Sequence, residues 1–275
     1  MLWGTSWLCG RLIAAEGVPA VHGSLGRFGF GSLGLLAVLL FYRPWPALTA
    51  GLFGRLAAMG LFGVFFYNIC FFNGLQTVPA GRASMVASMQ PMFVFLFSAL
   101  VWGEKVTPLK VTGLLVSLSG AVLVLSQGDP GRLFAQGLNT GDLWILGCAV
   151  SWVIYTLLGR TVTGKIPAVA ATAYSTWLGT AALVAYAALQ PSPAAPWSPR
   201  VWLAAAFLGW GGTTAAFLLY LKGIGQIGPS RASIFINLVP VFGVILSSVF
   251  LGEAVSGATL LGGAIVIVGV RLLNR

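Results

Sequence analysis

Long apolar runs alternate with short polar breaks along the whole chain of 275 residues. The breaks are rich in Gly, Pro and charged residues, which is typical of connections between helices. None of the runs alternates polar and apolar residues as the strands of a membrane barrel do. The pattern therefore predicts an all-α protein with helices over ten runs, at 1–15, 20–41, 53–75, 82–102, 108–126, 142–159, 168–189, 200–221, 231–251 and 256–273.

The composition indicates that these helices lie in a lipid bilayer. Apolar residues make up 58% of the chain and charged residues 7%, with a mean hydropathy of +0.94. A soluble domain carries about 25% charged residues, whereas a helix that spans a bilayer needs about 20 mostly apolar ones. The runs therefore predict ten transmembrane helices with the lipid bilayer as a partner, and they leave no room for a soluble domain.

The net charge of +10 is spread along the chain rather than clustered. A protein that binds nucleic acid carries its basic residues in a patch or stripe, so no nucleic acid is expected as a partner. If the N-terminus is cytoplasmic, ten Lys and Arg residues fall on the cytoplasmic side and five on the other. The positive-inside rule then predicts that both termini are cytoplasmic.

Few residues carry side chains suited to metal binding or catalysis. Cys9, Cys70 and Cys148 lie inside apolar runs without metal-ligand spacing, and the chain has a single histidine, His22. We therefore expect no metal and no cofactor. A membrane-embedded enzyme is disfavoured, because the sequence shows neither paired carboxylates nor the spacing of a nucleophile and its base.

An internal repeat divides the chain into two halves. When the sequence is shifted by 149 positions, 11 of the 39 residues at 82–120 are identical without a gap. The shift also aligns Arg82 with Arg231 and Trp3 with Trp152, which apolar composition alone would not do. The predicted organisation is a first repeat at 1–126, a linker at 127–141 and a second repeat at 142–275.

Each repeat contains five predicted spans, which is an odd number. The second repeat then enters the membrane from the opposite side, as in secondary transporters whose substrate site lies between inverted repeats. The predicted fold is an all-α membrane protein of ten transmembrane helices, arranged as two inverted five-helix repeats around a central cavity. Because Trp152 lies ten residues after Asp142 and Trp3 lies near the start of the chain, symmetry predicts that the first helix is truncated.

Three motifs point to a known family: Leu-Trp-Gly-Thr-Ser-Trp at 2–7, a Gly-Glu pair that closes each of the fourth and ninth spans, and the Gly-rich fifth and tenth spans. With them the chain resembles the drug/metabolite transporter superfamily over its whole length. It is most similar to the EamA-type 5+5 repeat and, within that, to YddG-type aromatic amino-acid exporters of bacterial inner membranes. The resemblance implies a central cavity lined chiefly by spans 1, 3, 4, 6, 8 and 9.

Polar and aromatic residues deep in the spans are the candidates for substrate binding. In the fourth span Ser84, Ser88 and Pro91 follow one helical face, and the repeat reproduces this stripe in the ninth span. A polar stripe beside a proline, which frees backbone carbonyls for a ligand, favours a cavity wall. Packing between helices is the alternative. The candidate cavity residues are Trp3, Trp7, Tyr67, Asn68, Ser84, Ser88, Gln90, Trp152, Tyr155, Ser233 and Asn237.

Arginines open the fourth and ninth spans, where a cation opposes the helix dipole. A rim or gate that attracts a carboxylate is one explanation for them, and snorkelling towards lipid headgroups is the other. Gln90 is a further deep amide, although a continuous helix places it off the serine stripe. The candidate gating or rim residues are Arg82, Arg231, Pro91 and Pro240.

Arg27 is the only charge that the sequence places deep in a span, and it is a candidate for binding an anion. Because no deep carboxylate accompanies it, facilitated exchange or uniport is favoured over proton antiport. The predicted function is export of amino acids, aromatic ones included, or of similar amphipathic metabolites by alternating access. A broad drug exporter and a passive channel are the alternatives. Small residues in spans 5 and 10 allow close packing, either within a monomer or in a weak dimer.

Overall fold

A computed structural model describes residues 2–41, 45–87, 89–103, 106–126, 128–129, 139–189, 196–252 and 254–273. Each apolar run is helical over its described residues, and beyond one isolated bridge these ranges contain no β-structure. The all-α prediction is confirmed. The helices are α1 (Leu2–Ala15), α2 (Ala20–Phe41), α3 (Ala50–Thr77), α4 (Ala80–Ala87 and Gln90–Trp102), α5 (Pro108–Leu125), α6 (Thr140–Val162), α7 (Ala168–Leu189), α8 (Pro199–Ile227), α9 (Pro229–Ser233 and Leu238–Leu251) and α10 (Gly257–Leu273).

Side-chain caps determine where several helices begin. The side chains of Thr49, Thr107, Asn139 and Ser198 each accept a hydrogen bond from the backbone N–H three residues on. Such a bond satisfies one of the donors that a helix start leaves without an intrahelical partner. The cap at Thr49 explains why α3 starts three residues before the apolar run that predicted it, since the capping bond fixes the start of the helix at Ala50.

The distribution of side chains is that of a multi-pass membrane protein. Within the described residues, α2, α3, α6, α7 and α8 are long and apolar enough to cross a membrane, and the other helices are shorter or interrupted. Large apolar side chains lie on the outside, with Leu100 and Leu189 each 80% exposed. Arg27, Asn68 and Thr156 are buried instead. Extensive apolar outer surface with polar groups inside suits a lipid environment.

The pattern of helix packing is preserved when each helix is exchanged with the one five places along the chain. α1 packs on α9 as α6 packs on α4, and α2 packs on α8 as α7 packs on α3. The pairs α2–α7, α4–α9 and α5–α10 join helices to their own counterparts. The two halves of the sequence therefore adopt similar surroundings.

Irregular turns occur at matching places in the two halves. α3 contains a π-helical segment at Leu61–Phe66, and α8 contains one at Leu208–Ala215. α4 ends at Ala87 and begins again at Gln90, and α9 is interrupted by a 3₁₀ segment at Ile234–Asn237. Such interruptions free backbone groups and are frequent at functional sites.

Glycines make the closest contacts between helices. A methyl group on Gly120 of α5 would collide with the carbonyl of Gly262 in α10, and one on Gly262 would collide with the carbonyl of Gly120. Gly60 of α3 lies equally close to the backbone of Gly179 in α7. The small residues of the fifth and tenth spans thus pack α5 against α10 within one chain, as small residues do in membranes.

Candidate functional site

A narrow pocket lies at the centre of the bundle, where residues from both halves of the chain meet. Its volume is about 30 Å³, which is room for one or two water molecules. The sequence-derived candidates Trp3, Trp7, Tyr67, Gln90 and Trp152 all lie in its wall. Among the described residues, the lining consists of Trp3, Ser6, Trp7, Arg27, Tyr67, Phe71, Ala87, Gln90, Trp152, Phe217, Ile236 and Val239.

Aromatic residues make up half of the described residues that line the pocket. Trp3 of α1 and its repeat counterpart Trp152 of α6 meet edge to face, with ring centroids 5.1 Å apart. The ring of Tyr67 lies 5.5 Å from that of Trp152, and the ring of Phe217 lies 5.4 Å from it. Trp3 Nε1 donates to the carbonyl of Gly212 at 2.9 Å, which orients the indole. Such a cage suits an aromatic or apolar side chain.

Arg27 of α2 brings a positive charge to the same wall, and its side chain is only 2% exposed. Its Nε donates to Thr213 Oγ1 at 3.1 Å, and its Nη1 donates to Asn68 Oδ1 at 3.0 Å. The guanidinium carbon lies 5.2 Å from the ring centroid of Phe28 and 5.7 Å from that of Phe71, within the range of cation–π attraction. Neutral acceptors and aromatic faces therefore hold the charge in place.

The two irregular turns supply the acceptors that anchor Arg27. Asn68 follows the π-helical segment of α3, and its Nδ2 donates to the carbonyl of Val64 at 2.8 Å. This bond leaves Oδ1 free to accept from Arg27. Thr213 lies within the corresponding π-helical segment of α8. The local backbone irregularity of both halves thus positions one guanidinium.

No carboxylate pairs with Arg27 among the residues that the structure describes. An ion pair elsewhere joins Arg82 and Asp142 at 2.8 Å and ties the start of α4 to the start of α6. In the described ranges no three His, Cys, Asp or Glu side chains lie together as metal ligands would. Because a buried cation without a counter-ion is unfavourable, the pocket is electrostatically suited to an anionic group.

Gln90 lies in the wall together with Ala87, which precedes it by three residues on α4. A helix turns by about 100° per residue, so these two residues share one face, and it is not the face of the serines. The Gln90 amide lies beside the Tyr67 hydroxyl. Gln90 is therefore off the serine stripe, as the helical spacing predicts, and the pocket borders this other face of α4.

Two candidate serines are engaged outside the pocket wall. Ser84 Oγ donates to the carbonyl of Gly81 at 2.8 Å, and its side chain contacts Gly243 of α9. Ser233 Oγ donates to the carbonyl of Ser230 at 2.7 Å. In this conformation both serines contribute to helix structure and packing rather than to the wall.

The remaining candidates lie around the pocket or beyond the described residues. Tyr155 is fully buried behind the wall, with its ring centroid 5.0 Å from that of Trp152. Pro91 is buried at the start of the second part of α4. Arg82 is engaged by Asp142 rather than directed into the pocket. Ser88 and the side chains of Asn237, Arg231 and Pro240 lie outside the described residues.

A larger apolar groove of about 370 Å³ lies between α1, α8 and α9. Phe235 and Leu219 in its wall are 66% and 65% exposed, so the groove continues onto the outer surface. Trp3 and Val239 line both this groove and the central pocket. Trp3 therefore stands between the central pocket and the outside of the bundle.

Comparison with known proteins identifies the family. A model of the EamA-like transporter family matches residues 1–126 and 139–275. The chain belongs to this family. Its relatives include an uncharacterized transporter, YyaM, of Bacillus subtilis, which is 26% identical over 89% of this chain and 81% of its own length. The prediction of an EamA-type transporter is confirmed.

Two further relatives carry names that mention a substrate. The aromatic amino acid exporter YddG of Ancylobacter novellus is 30% identical over 82% of this chain and 75% of its own length. A Streptantibioticus cattleyicolor protein named as a probable terminal-alkyne amino-acid exporter is 28% identical over 95% of this chain and 89% of its own length. A crystal structure with 27% identity matches with a TM-score of 0.69 over 98% of this chain and 92% of that one. Family and names indicate a transporter rather than an enzyme.

The sequence interpretation did not place several residues of this site in the cavity wall. Arg27 was identified as the only charge deep in a span and as a candidate for binding an anion, but residue counting placed it near the outer start of α2. Ser6 and Thr213 carry no charge and resemble ordinary packing residues, and only the fold shows that they border the guanidinium. Phe71 and Phe217 were indistinguishable from the many other apolar residues of their spans.

Proposed function

We propose that this protein is a secondary transporter that exports amino acids, aromatic ones included, across the bacterial inner membrane by alternating access. The observation that carries the proposal is the central pocket, which joins an aromatic cage to a buried guanidinium. The cage suits an aromatic or apolar side chain, and the cation suits a carboxylate. The names of two relatives, both amino-acid exporters, agree with this combination.

The proposed architecture is ten transmembrane helices in two inverted repeats, at 1–126 and 142–275, with the linker at 127–141. Two separate matches of the family model support this division. The exchange of packing partners between helices five places apart supports it as well. In such an arrangement the two halves rock about a central site and open it to each side of the membrane in turn.

The proposed opening involves the wall of the pocket, because its present volume is too small for an amino acid. Trp3 separates the pocket from the apolar groove between α8 and α9. A displacement of this indole would join the two spaces on one side. The matching position on the other side is that of Trp152, which the repeat relates to Trp3. Pro91 and Pro240 lie beside the interruptions of α4 and α9 and serve as hinges in this proposal.

Transport in proteoliposomes tests the proposal. Vesicles with the purified protein and an internal load of unlabelled phenylalanine should accumulate radiolabelled phenylalanine, and the uptake should saturate and require the internal load. A channel would show neither saturation nor dependence on the load. The proposed function would be overturned if the protein moved no amino acid although size-exclusion chromatography showed it to be folded.

The proposed orientation has both termini in the cytoplasm, as the distribution of Lys and Arg favours. A green fluorescent protein fused to the C-terminus should then fluoresce, and an alkaline phosphatase fused there should be inactive. The reverse result would place the C-terminus outside. We further propose exchange or uniport, so an imposed pH gradient should not drive net uptake.

Export of cationic drugs is the alternative that the pocket disfavours. Arg27 places a positive charge in the wall, and the polar neighbours that line the pocket with it are neutral. A cationic ligand there would meet repulsion in a medium of low dielectric constant. Uptake of a permeant cation that exceeds the uptake of phenylalanine would reverse this preference.

A further inference from the structure

The guanidinium of Arg27 is anchored on one side and open on the other. Its Nε and one N–H of Nη1 donate to Thr213 and Asn68, and both acceptors are fully buried. For Nη2 the structure records no acceptor among the described residues. Because Arg27 forms part of the pocket wall, its remaining donors are available on the pocket side.

Small residues of α1 and α8 lie beside these donors. A methyl group on Gly212 would lie 2.6 Å from Ser6 Oγ and 3.9 Å from Arg27 Nη2. Ser6 turns its own hydroxyl proton to the carbonyl of Leu2 at 3.0 Å, so it directs no proton at the guanidinium. α1 and α8 therefore approach Nη2 with a short side chain and a glycine, and Ser6 lines the pocket together with Arg27.

Within the described part of the chain, only neutral groups surround the charge of Arg27. Two hydrogen-bond acceptors and the rings of Phe28, Phe71 and Phe217, at 5.2, 5.7 and 6.0 Å, surround it. A carboxylate offers two acceptor oxygens in the geometry of the guanidinium fork and supplies the missing negative charge. An anionic ligand thus gains more binding free energy at this position than a neutral ligand does.

The ammonium group of an amino acid finds no comparable partner. The polar side chains that share the pocket with Arg27 are Ser6, Tyr67 and Gln90, together with the indole N–H groups of the tryptophans, and none of them carries a charge. We propose that Arg27 is the carboxylate-binding residue of the pocket, and that the protein accepts carboxylates with an aromatic or apolar side chain whether or not they carry an amino group. This inference rests on the proposed transport function and narrows its substrate class.

Competition in the counterflow assay tests the inference on the wild-type protein. The uptake of radiolabelled phenylalanine is measured against 3-phenylpropionate, which lacks the amino group, and against 2-phenylethylamine and phenylalaninamide, which lack the carboxylate. 3-Phenylpropionate should compete about as well as phenylalanine. The two compounds without a carboxylate should need at least about tenfold higher concentrations, as expected when a charged hydrogen bond is lost.

Variants at position 27 assign the effect to the guanidinium. Arg27→Gln should lower the apparent affinity for phenylalanine at least about tenfold and abolish the preference for phenylalanine over phenylalaninamide. Arg27→Lys should keep part of that preference. Arg55→Gln is the matched control, because Arg55 is exposed and its Nη1 donates to the carbonyl of Thr161 at 3.1 Å, remote in sequence from the pocket residues. It should leave affinity and preference unchanged. If Arg27→Gln fails to fold, the competition assay on the wild type and the Arg27→Lys variant still test whether Arg27 binds the carboxylate.

The outcomes separate this inference from the proposed function. If the wild type transports phenylalanine but 2-phenylethylamine and phenylalaninamide compete equally well, the role of Arg27 is overturned and the function stands. The same holds if a folded Arg27→Gln protein keeps the wild-type preference. If 3-phenylpropionate does not compete, the amino group is required and the proposed substrate class is wrong. If the wild type moves no amino acid, the proposed function itself falls.

Discussion

The two halves of the protein place different side chains at the same point of a similar backbone. In the first half of the sequence Gly63 of α3 receives the ring of Tyr155 from α6. At the matching contact Gly212 of α8 faces the short side chain of Ser6 from α1. Tyr155 is fully buried on its side of the bundle, whereas the shorter Ser6 lines the central pocket.

The helices that flank these contacts differ in the same sense. The backbone of Arg27 in α2 lies against Gly209, as the backbone of Ser175 in α7 lies against Gly60. The hydroxyl of Ser175 donates to the carbonyl of Ala171 within its own helix at 2.8 Å, whereas Arg27 reaches across to α3 and α8. Among the described residues, the charge thus lies on one side of a repeated pattern of contacts, and the proposed binding chemistry lies where the two sides differ.

The substitution Ser6→Tyr is the most severe test of this comparison. It places beside Gly212 the ring that Tyr155 places beside Gly63, and the ring would occupy the space of the guanidinium and the pocket. We expect Ser6→Tyr to abolish counterflow of phenylalanine, while size-exclusion chromatography shows that the protein remains folded. Ser6→Ala, which keeps the space, should retain transport. Full activity of Ser6→Tyr would show that the open side is not the binding side.

Removal of the ring on the filled side should reduce stability. Tyr155 is fully buried, so Tyr155→Ala leaves a cavity and should lower the free energy of unfolding by about 3–5 kcal/mol. Denaturant titration in detergent measures the change. Tyr155→Phe keeps the ring and should cost about 1 kcal/mol or less. Equal losses in the free energy of unfolding for Tyr155→Ala and Ser6→Ala would show that the two sides do not differ in packing.

The glycine contacts should behave alike in the two halves, because each glycine lies against the backbone of the facing helix. A methyl group at Gly60 or Gly209 meets the carbonyl of the facing helix, so each Gly→Ala change should cost about 1–3 kcal/mol. Gly54 lies on the same helix as Gly60 with nothing within 4 Å of the added methyl, and Gly54→Ala should be neutral or stabilising by about 0.5–1 kcal/mol. A large difference between Gly60 and Gly209 would argue against equivalent packing.

The ion pair at the edge of the bundle should have the smallest effect. Arg82 and Asp142 are 13% and 2% exposed and lie 2.8 Å apart. A double-mutant cycle with Arg82→Gln and Asp142→Asn should give a coupling of about 1 kcal/mol, with transport nearly unchanged. A loss of transport without a loss of stability would instead assign Arg82 to a rim or gate.

The helices were predictable from sequence for a physical reason, and the proposed duplication was visible in the sequence for the same reason. Burial in lipid requires continuous apolar runs, and Arg82 with Arg231 or Trp3 with Trp152 mark the repeat against that uniform background. The surroundings of Arg27 were not predictable. Its partners Asn68 and Thr213 lie 41 and 186 positions away, and periodicity along one helix carries no information on which helices become neighbours.

The orientation of α4 sets a second limit on prediction from sequence. The serine stripe marked one face of this helix as a cavity wall, and Gln90 was a candidate that lies off that face. Ser84 instead bonds within its helix and contacts Gly243, while Gln90 lies in the wall. Periodicity along α4 shows which residues share a face, but it does not show which face the neighbouring helices enclose.

The contracted pocket around Arg27 has a kinetic consequence. A carrier that changes sides passes through a conformation in which its site is closed to water, and a pocket of about 30 Å³ leaves little solvent beside the guanidinium. Without a ligand, the bare charge raises the barrier to this passage, whereas a bound carboxylate neutralises it and lowers the barrier. The loaded carrier should therefore cross faster than the empty one, so that exchange of one substrate for another outpaces net efflux.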